Sequence, residues 1–105
     1  MEIERVVITG LGTINAIAGS VPEFHGALRN GVCGIGPVTV FDTAGFKTHT
    51  GGQAMRFIPQ EMIPAEFSIK RMSRSDIMAM KAAIEALKHA KLFPVPDGLL
   101  SDTGV

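Results

Sequence analysis

Four sets of residues in this sequence could do chemistry by type or spacing. The first is Gly10-Leu11-Gly12, which ends the apolar run "RVVIT" in the manner of a glycine-rich phosphate turn. Such a turn holds a dinucleotide as Gly-x-Gly-x-x-Gly opening directly into a helix, with an acid about 20 residues on for the ribose. Here the third position is Asn15, the first helix-start signature waits until Ser20, and the stretch from Leu28 to Phe41 has no acid. The Gly-Lys-Ser/Thr of a P-loop is also missing. The two glycines are therefore read as turning the chain at a strand end. The second set is Cys33, the only cysteine, which leaves no disulfide framework and no multi-cysteine metal site. A thiol becomes nucleophilic when a helix N-terminus or a base activates it. Val-Cys-Gly-Ile-Gly opens no helix and pairs with no histidine, so Cys33 reads as a small structural residue. The third set, His25, His49 and His89, shares no metal-ligand spacing. His25 and His89 fall on expected helices as surface residues, and His49 on a possible edge strand. The fourth set is basic: Lys70, Arg71 and Arg74 crowd a helix start, where cations are mildly unfavourable. That placement supports a partner of some kind, against the plainer reading of charges that solvate a helix end.

These residues need elements to hold them. Residues 3 to 9 read as a buried strand through Ile3, Val6, Val7, Ile8 and Thr9. Ser20-Val-Pro-Glu23 is a capping-box signature with Pro22 in the first turn, and the helix it opens runs to the stop Asn30-Gly31. "GVCGIGPVTVFDTAGF" reads as a loop with short extended pieces. Residues 47 to 55 form a possible strand that Gly51-Gly52 weakens. "FIPQEMIPAEFS" reads as an irregular connection with one helical turn. The clearest element is "SRSDIMAMKAAIEALKHAKL", capped by Ser73 with Asp76 in the first turn. Ile77, Met80, Ile84 and Leu87 repeat at helical spacing, and Lys81, Glu85 and Lys88 form a polar line. Ala79, Ala82, Ala83, Ala86 and Ala90 let this helix be approached closely on more than one side. Pro94 and Pro96 are expected to end it, and "SDTGV" starts like a strand that then stops.

The totals bound the answer. The chain has 105 residues, room for one modest domain, and its 10 basic and 10 acidic residues cancel. That argues against nucleic-acid binding. The chain is 46% hydrophobic without Trp or Tyr, so either its core is unusually aliphatic or part of its surface expects a neighbour. The N-terminal apolar run is too short for a signal peptide or a membrane span. A cytoplasmic, soluble protein with no membrane association is the expectation.

Read in order, "RVVITGLG", "EFHGALRNGVCGI", "FDTAGF" and "KRMSRSDIMAMKAAIEALKHAKL" resemble the start of an elongating, type II-like β-ketoacyl-acyl carrier protein synthase of the thiolase superfamily. The resemblance covers nearly the whole chain in register. Departures from the family pattern are Asn15-Ala16 in place of Ser-Pro, His25 in place of Trp, Ser73 in place of Asp and Ser75 in place of an aromatic residue. They mark a divergent member.

The resemblance implies an α/β chain, the N-terminal portion of a thiolase-type layered αβαβα fold that is incomplete here. Residues 1–105 would be the N-terminal part of the first thiolase-like half, with the alanine-rich helix in the central helical layer. Left without its usual neighbours, that helix would expose Ile77, Met80, Ile84 and Leu87. The implied activity is that of an acyltransferase: an acyl thioester condenses with malonyl-carrier protein, with decarboxylation, in fatty acid or polyketide synthesis. The nucleophilic Cys and the two His of the family lie beyond residue 105, so no catalytic residue is expected in this chain and the chain alone is expected to be inactive. No cofactor or metal site is implied. The implied partners are acyl carrier protein and the acyl and malonyl thioesters, with Lys70, Arg71 and Arg74 as the carrier-docking residues. The longer protein would be a homodimer. Two other readings stay open: a non-catalytic paralogue of the chain-length-factor kind, and a free-standing small α/β binding module.

Overall fold

Serine starts the two long helices and a left-handed residue ends each of them. A computed structural model describes residues 2–94 and 98. Helix α1, Val21–Arg29, follows Ser20, whose hydroxyl accepts from the Glu23 N–H at 3.4 Å. The reciprocal half of the expected capping box is displaced by one residue: the Glu23 carboxylate accepts from Gly19 N–H at 2.9 Å. At the other end Gly31 takes φ +65°, and Val32 N–H returns to the Ala27 carbonyl. This is a Schellman stop, for which glycine is the preferred residue.

The chain next forms a small antiparallel hairpin. Strand β1, Ile35–Pro37, pairs with β2, Thr50–Gly52, in the register Ile35↔Gly52, Gly36↔Gly51 and Pro37↔Thr50. The expected strand at 47 to 55 is thus three residues long and keeps both glycines. Gln53 extends the pairing with its side chain, accepting from Thr39 and Val40 N–H and donating to the Pro37 carbonyl and the Thr39 hydroxyl. Phe41 and Phe46 meet edge-to-face at 5.9 Å in the connecting loop, and both stay exposed.

The short helix α2, Pro59–Met62, supplies the helical turn expected in the proline-punctuated connection and packs on α3, Arg74–His89. A full capping box fixes the start of α3: the Ser73 hydroxyl accepts from Asp76 N–H, and the Asp76 carboxylate accepts from Ser73 N–H at 2.9 Å. The helix ends before the prolines that were expected to end it. Lys91 adopts φ +61°, and Leu92 N–H bonds to the Leu87 carbonyl at 2.8 Å, a second Schellman stop with lysine where α1 has glycine.

Two expectations about cover are reversed. Ile77 and Ile84 of α3 are buried, with Ile63 beside α2, and Met80 and Leu87 are half-buried. The apolar face of α3 is therefore largely covered within this chain. The uncovered apolar surface lies instead in the segment read as a buried strand. Residues 2–9 carry no helix or strand, and Ile3, Val6, Val7 and Ile8 are 89, 93, 66 and 82% exposed. A strand needs a neighbour on its edges and a layer on its faces, and the described residues supply neither. The accessible surface totals 8582 Å², whereas a folded monomer of this mass shows about 5,700 Å². The possible strand at "SDTGV" lies outside the described residues.

Candidate functional site

Of the basic cluster, two cations are displayed and one is anchored. Met72 N–H bonds to the Ile69 carbonyl at 3.1 Å, so Lys70 and Arg71 occupy the two corners of a tight turn directly before α3. Both are exposed, while Ile69 and Met72 on either side are half-buried and root the turn. Arg74, one turn of chain later, is also exposed, but its guanidinium is committed. Nη2 donates to the Ala54 carbonyl at 2.8 Å, and the guanidinium carbon sits 3.8 Å from the centre of the Phe57 ring. Asp76 is the nearest acid in sequence on the helix. Its carboxyl is held below its ordinary value by the Ser73 backbone N–H and then by the Ser73 side chain. Its charge thereby serves the helix cap.

The glycine turn is a helix-packing device. A methyl group at Gly12 would land on the Ala82 carbonyl oxygen and lie 2.9 Å from Ala86 N; one at Gly10 would land on the Ala86 carbonyl oxygen and 3.0 Å from the Ala90 methyl. The two glycines therefore let the chain lie against the Ala82–Ala86–Ala90 stripe. This corrects the reading that they merely turn a strand end. The alanine periodicity of α3 was the sequence signal for it, but not for which segment would use it.

Six N–H groups between Leu11 and Val21 are held by side chains of this chain. Leu11 N–H donates to His89 Nδ1 at 3.1 Å, and Ile17 and Ala18 N–H share the Asn15 side-chain oxygen at 3.0 and 3.1 Å. Gly19 N–H goes to Glu23, while Thr13 and Val21 N–H both go to Glu85 Oε1 at 3.3 and 2.8 Å. Two of these acceptors are carboxylates, which would repel a phosphate.

Glu85 and Lys81, two members of the polar line on α3, form the i,i+4 pair that their spacing predicts and lie largely covered. Their side chains are only 20 and 18% exposed, Lys81 Nζ lies 2.9 Å from Glu85 Oε2, and Lys81 also reaches the Thr13 carbonyl at 3.3 Å. Burial pushes the Glu85 carboxyl up. The Lys81 hydrogen bond and charge, with the Val21 and Thr13 N–H groups, outweigh it and hold the group below its ordinary value. His89, expected at the surface, is exposed but fixes the Leu11 backbone, whose N–H donates to Nδ1. His25 is exposed on α1, and His49 lies just before β2 with Nδ1 3.1 Å from the Thr43 hydroxyl. Cys33 is exposed between α1 and β1, its sulfur 3.9 Å from the Ile35 carbonyl. Among the described residues its one hydrogen-bond contact is this carbonyl, and no helix N-terminus or imidazole engages it. Among the described residues no helix is long and apolar enough to cross a membrane.

Comparison with known proteins adds identity to this geometry. Residues 3–105 match the family model for the β-ketoacyl synthase N-terminal domain. The chain is 35% identical over 92 residues to the 3-oxoacyl-[acyl-carrier-protein] synthase 2 of Synechocystis sp., covering 88% of this chain and 22% of that one. It is 32% identical over 95 residues to the synthase of the same name from Coxiella burnetii, again 88% of this chain and 22% of the relative. Among solved structures, the ishigamide ketosynthase/chain length factor superposes with a TM-score of 0.74 at 36% identity, over 82% of this chain and 21% of that one. The chain spans about a fifth of the length of these relatives.

Proposed function

The chain belongs to the β-ketoacyl synthase family, in the region of its N-terminal domain, and from that premise we propose that it is the N-terminal part of the first thiolase-like half of a carrier-dependent condensing enzyme. The reaction is a decarboxylative condensation. An acyl group passes from a thioester to a cysteine beyond residue 105. A malonyl thioester then loses carbon dioxide, and its carbanion attacks the acyl carbonyl and expels the cysteine thiolate. This chain contributes recognition of the acyl carrier protein through the basic cluster of Lys70, Arg71 and Arg74, and no catalytic group. In the same reading the longer protein is a cytoplasmic homodimer.

One observation carries the docking reading: Lys70 and Arg71 stand exposed at the corners of a hydrogen-bonded turn. The relatives are named as acyl-carrier-protein synthases. An acidic carrier is steered by such a cationic patch, and the contribution weakens with salt. The test supplies the longer protein with acyl and malonyl groups on carrier protein or on pantetheine. A 3-oxoacyl product with release of carbon dioxide is expected. Reversing the charges at Lys70 and Arg71 is expected to cost more with the carrier-bound substrates than with the pantetheine-bound ones. An equal loss with both substrates would assign these residues to the fold. Incubation of the 105-residue chain alone with a labelled acyl thioester is expected to leave Cys33 unmodified; a stoichiometric acyl-Cys33 would overturn the assignment of the nucleophile elsewhere.

The structural neighbour named for a ketosynthase and a chain length factor favours one second reading, a non-catalytic partner subunit. The residue at the nucleophile position of the longer protein separates the two, cysteine marking the enzyme.

A further inference from the structure

We propose that the part Arg74 plays in the docking cluster is that of a positioning residue, which holds the geometry of the Lys70–Arg71 turn through Ala54 and Phe57. The inference rests on the docking reading given above and divides the labour within it. The three cations differ in what their side chains touch. No acceptor within the chain holds Lys70 or Arg71 among the contacts of the described residues, and both sit at the corners of the turn closed by Met72 N–H and the Ile69 carbonyl. Arg74 has its Nη2 on the Ala54 carbonyl at 2.8 Å and its guanidinium carbon 3.8 Å from the centre of the Phe57 ring. Ala54 is itself buried, so that bond ties the start of α3 to a fixed point directly after the β-hairpin. The Ser73–Asp76 capping box sets the direction of the helix from the other side. Both fixings hold the chain directly after the turn, the Met72 N–H bond to the Ile69 carbonyl closes the turn itself, and the two displayed cations inherit that order.

A planar guanidinium is needed for this arrangement. Lysine keeps the charge but cannot stack and donate in the same fork geometry. Arg74→Lys therefore separates charge from position. In the longer protein, affinity for the acyl carrier protein is measured across a salt series for Arg74→Lys, Phe57→Leu, Phe57→Tyr, Lys70→Ala and Arg71→Ala. Neutralising either displayed cation is expected to weaken binding about two- to fivefold at low salt and to flatten the salt dependence. Arg74→Lys and Phe57→Leu are expected to weaken binding by about two- to fivefold while leaving the salt dependence as steep as in the parent, since every charge is retained. Phe57→Tyr, which keeps the ring, is expected to bind as the parent does. Parent-like affinity in Arg74→Lys, or in Phe57→Leu with an unchanged circular-dichroism spectrum, would overturn the positioning role and make Arg74 a charge in the docking field. If Lys70→Ala and Arg71→Ala bind the carrier as the parent does, the docking reading itself fails, and the positioning role fails with it.

Discussion

Residues 3–8 and residues 10–21 are neighbours in sequence, yet the structure treats them in opposite ways. The first stretch holds Ile3, Val6, Val7 and Ile8 in the open. The second is seated on α3, its glycines against the alanine stripe and its N–H groups shared among Glu85, His89, Asn15 and Glu23. A helix completes its own backbone bonding and asks a neighbour only for a close surface, which two glycines provide. A strand asks for partners along both edges. One kind of contact can be finished inside this chain; the other is left for something else to finish.

That contrast can be broken at its tightest point. Gly12→Ala forces a methyl onto the Ala82 carbonyl, and is expected to destabilise the chain by about 2–3 kcal/mol, seen as a lower urea midpoint at one fixed chain concentration. An unchanged midpoint would mean that the loop does not lie on α3. Glu85→Gln comes next. It leaves Lys81 without its carboxylate and weakens the bonds from Thr13 and Val21, at a cost of about 1–2 kcal/mol. Its pH signature follows from the lowered carboxyl. The stability from ionised Glu85 is fully present above its ordinary value of 4.5 and is lost as pH falls below that through the lowered folded value. Glu85→Gln should therefore flatten the acid limb of the urea midpoint below about pH 4.5, without altering its course near neutrality. The smallest effect is expected at the open stretch. Val6→Thr and Ile8→Thr should change the stability of this chain by no more than about 0.5 kcal/mol, because both side chains are already in water. In the longer protein the same substitutions should cost about 1–2 kcal/mol if a sheet covers them. Equal effects in the two settings would remove the contrast.

Much of this was legible in the residues. Ser73 with Asp76, Ser20 with Glu23, and Gly31 after Asn30 mark helix ends through local chemistry, and each end lies where its signal stands. The stop at Lys91 was not legible, because lysine carries no preference for left-handed backbone and the prolines beyond it offered a stronger local signal. The basic cluster could be seen as a group, but its division could not. Nothing in Lys70, Arg71 and Arg74 says that Phe57 lies under only the last of them. Glu85 was hidden for a similar reason: an i,i+4 pair on an exposed helix looks the same whether or not a loop of unsatisfied N–H groups lies over it. The strand at 3–9 was read from composition, which records that a segment is suited to burial but not which residues must bury it.

That this chain is one part of a larger layered fold is tested most directly by sizing the 105-residue protein across a concentration series while following its unfolding in urea. With Ile3, Val6, Val7 and Ile8 open, and each able to gain roughly 1.5–3 kcal/mol on burial, the expected result is association that grows with concentration and a midpoint that moves with it. A monomer with a sharp, concentration-independent transition would contradict this and return the chain to a free-standing module.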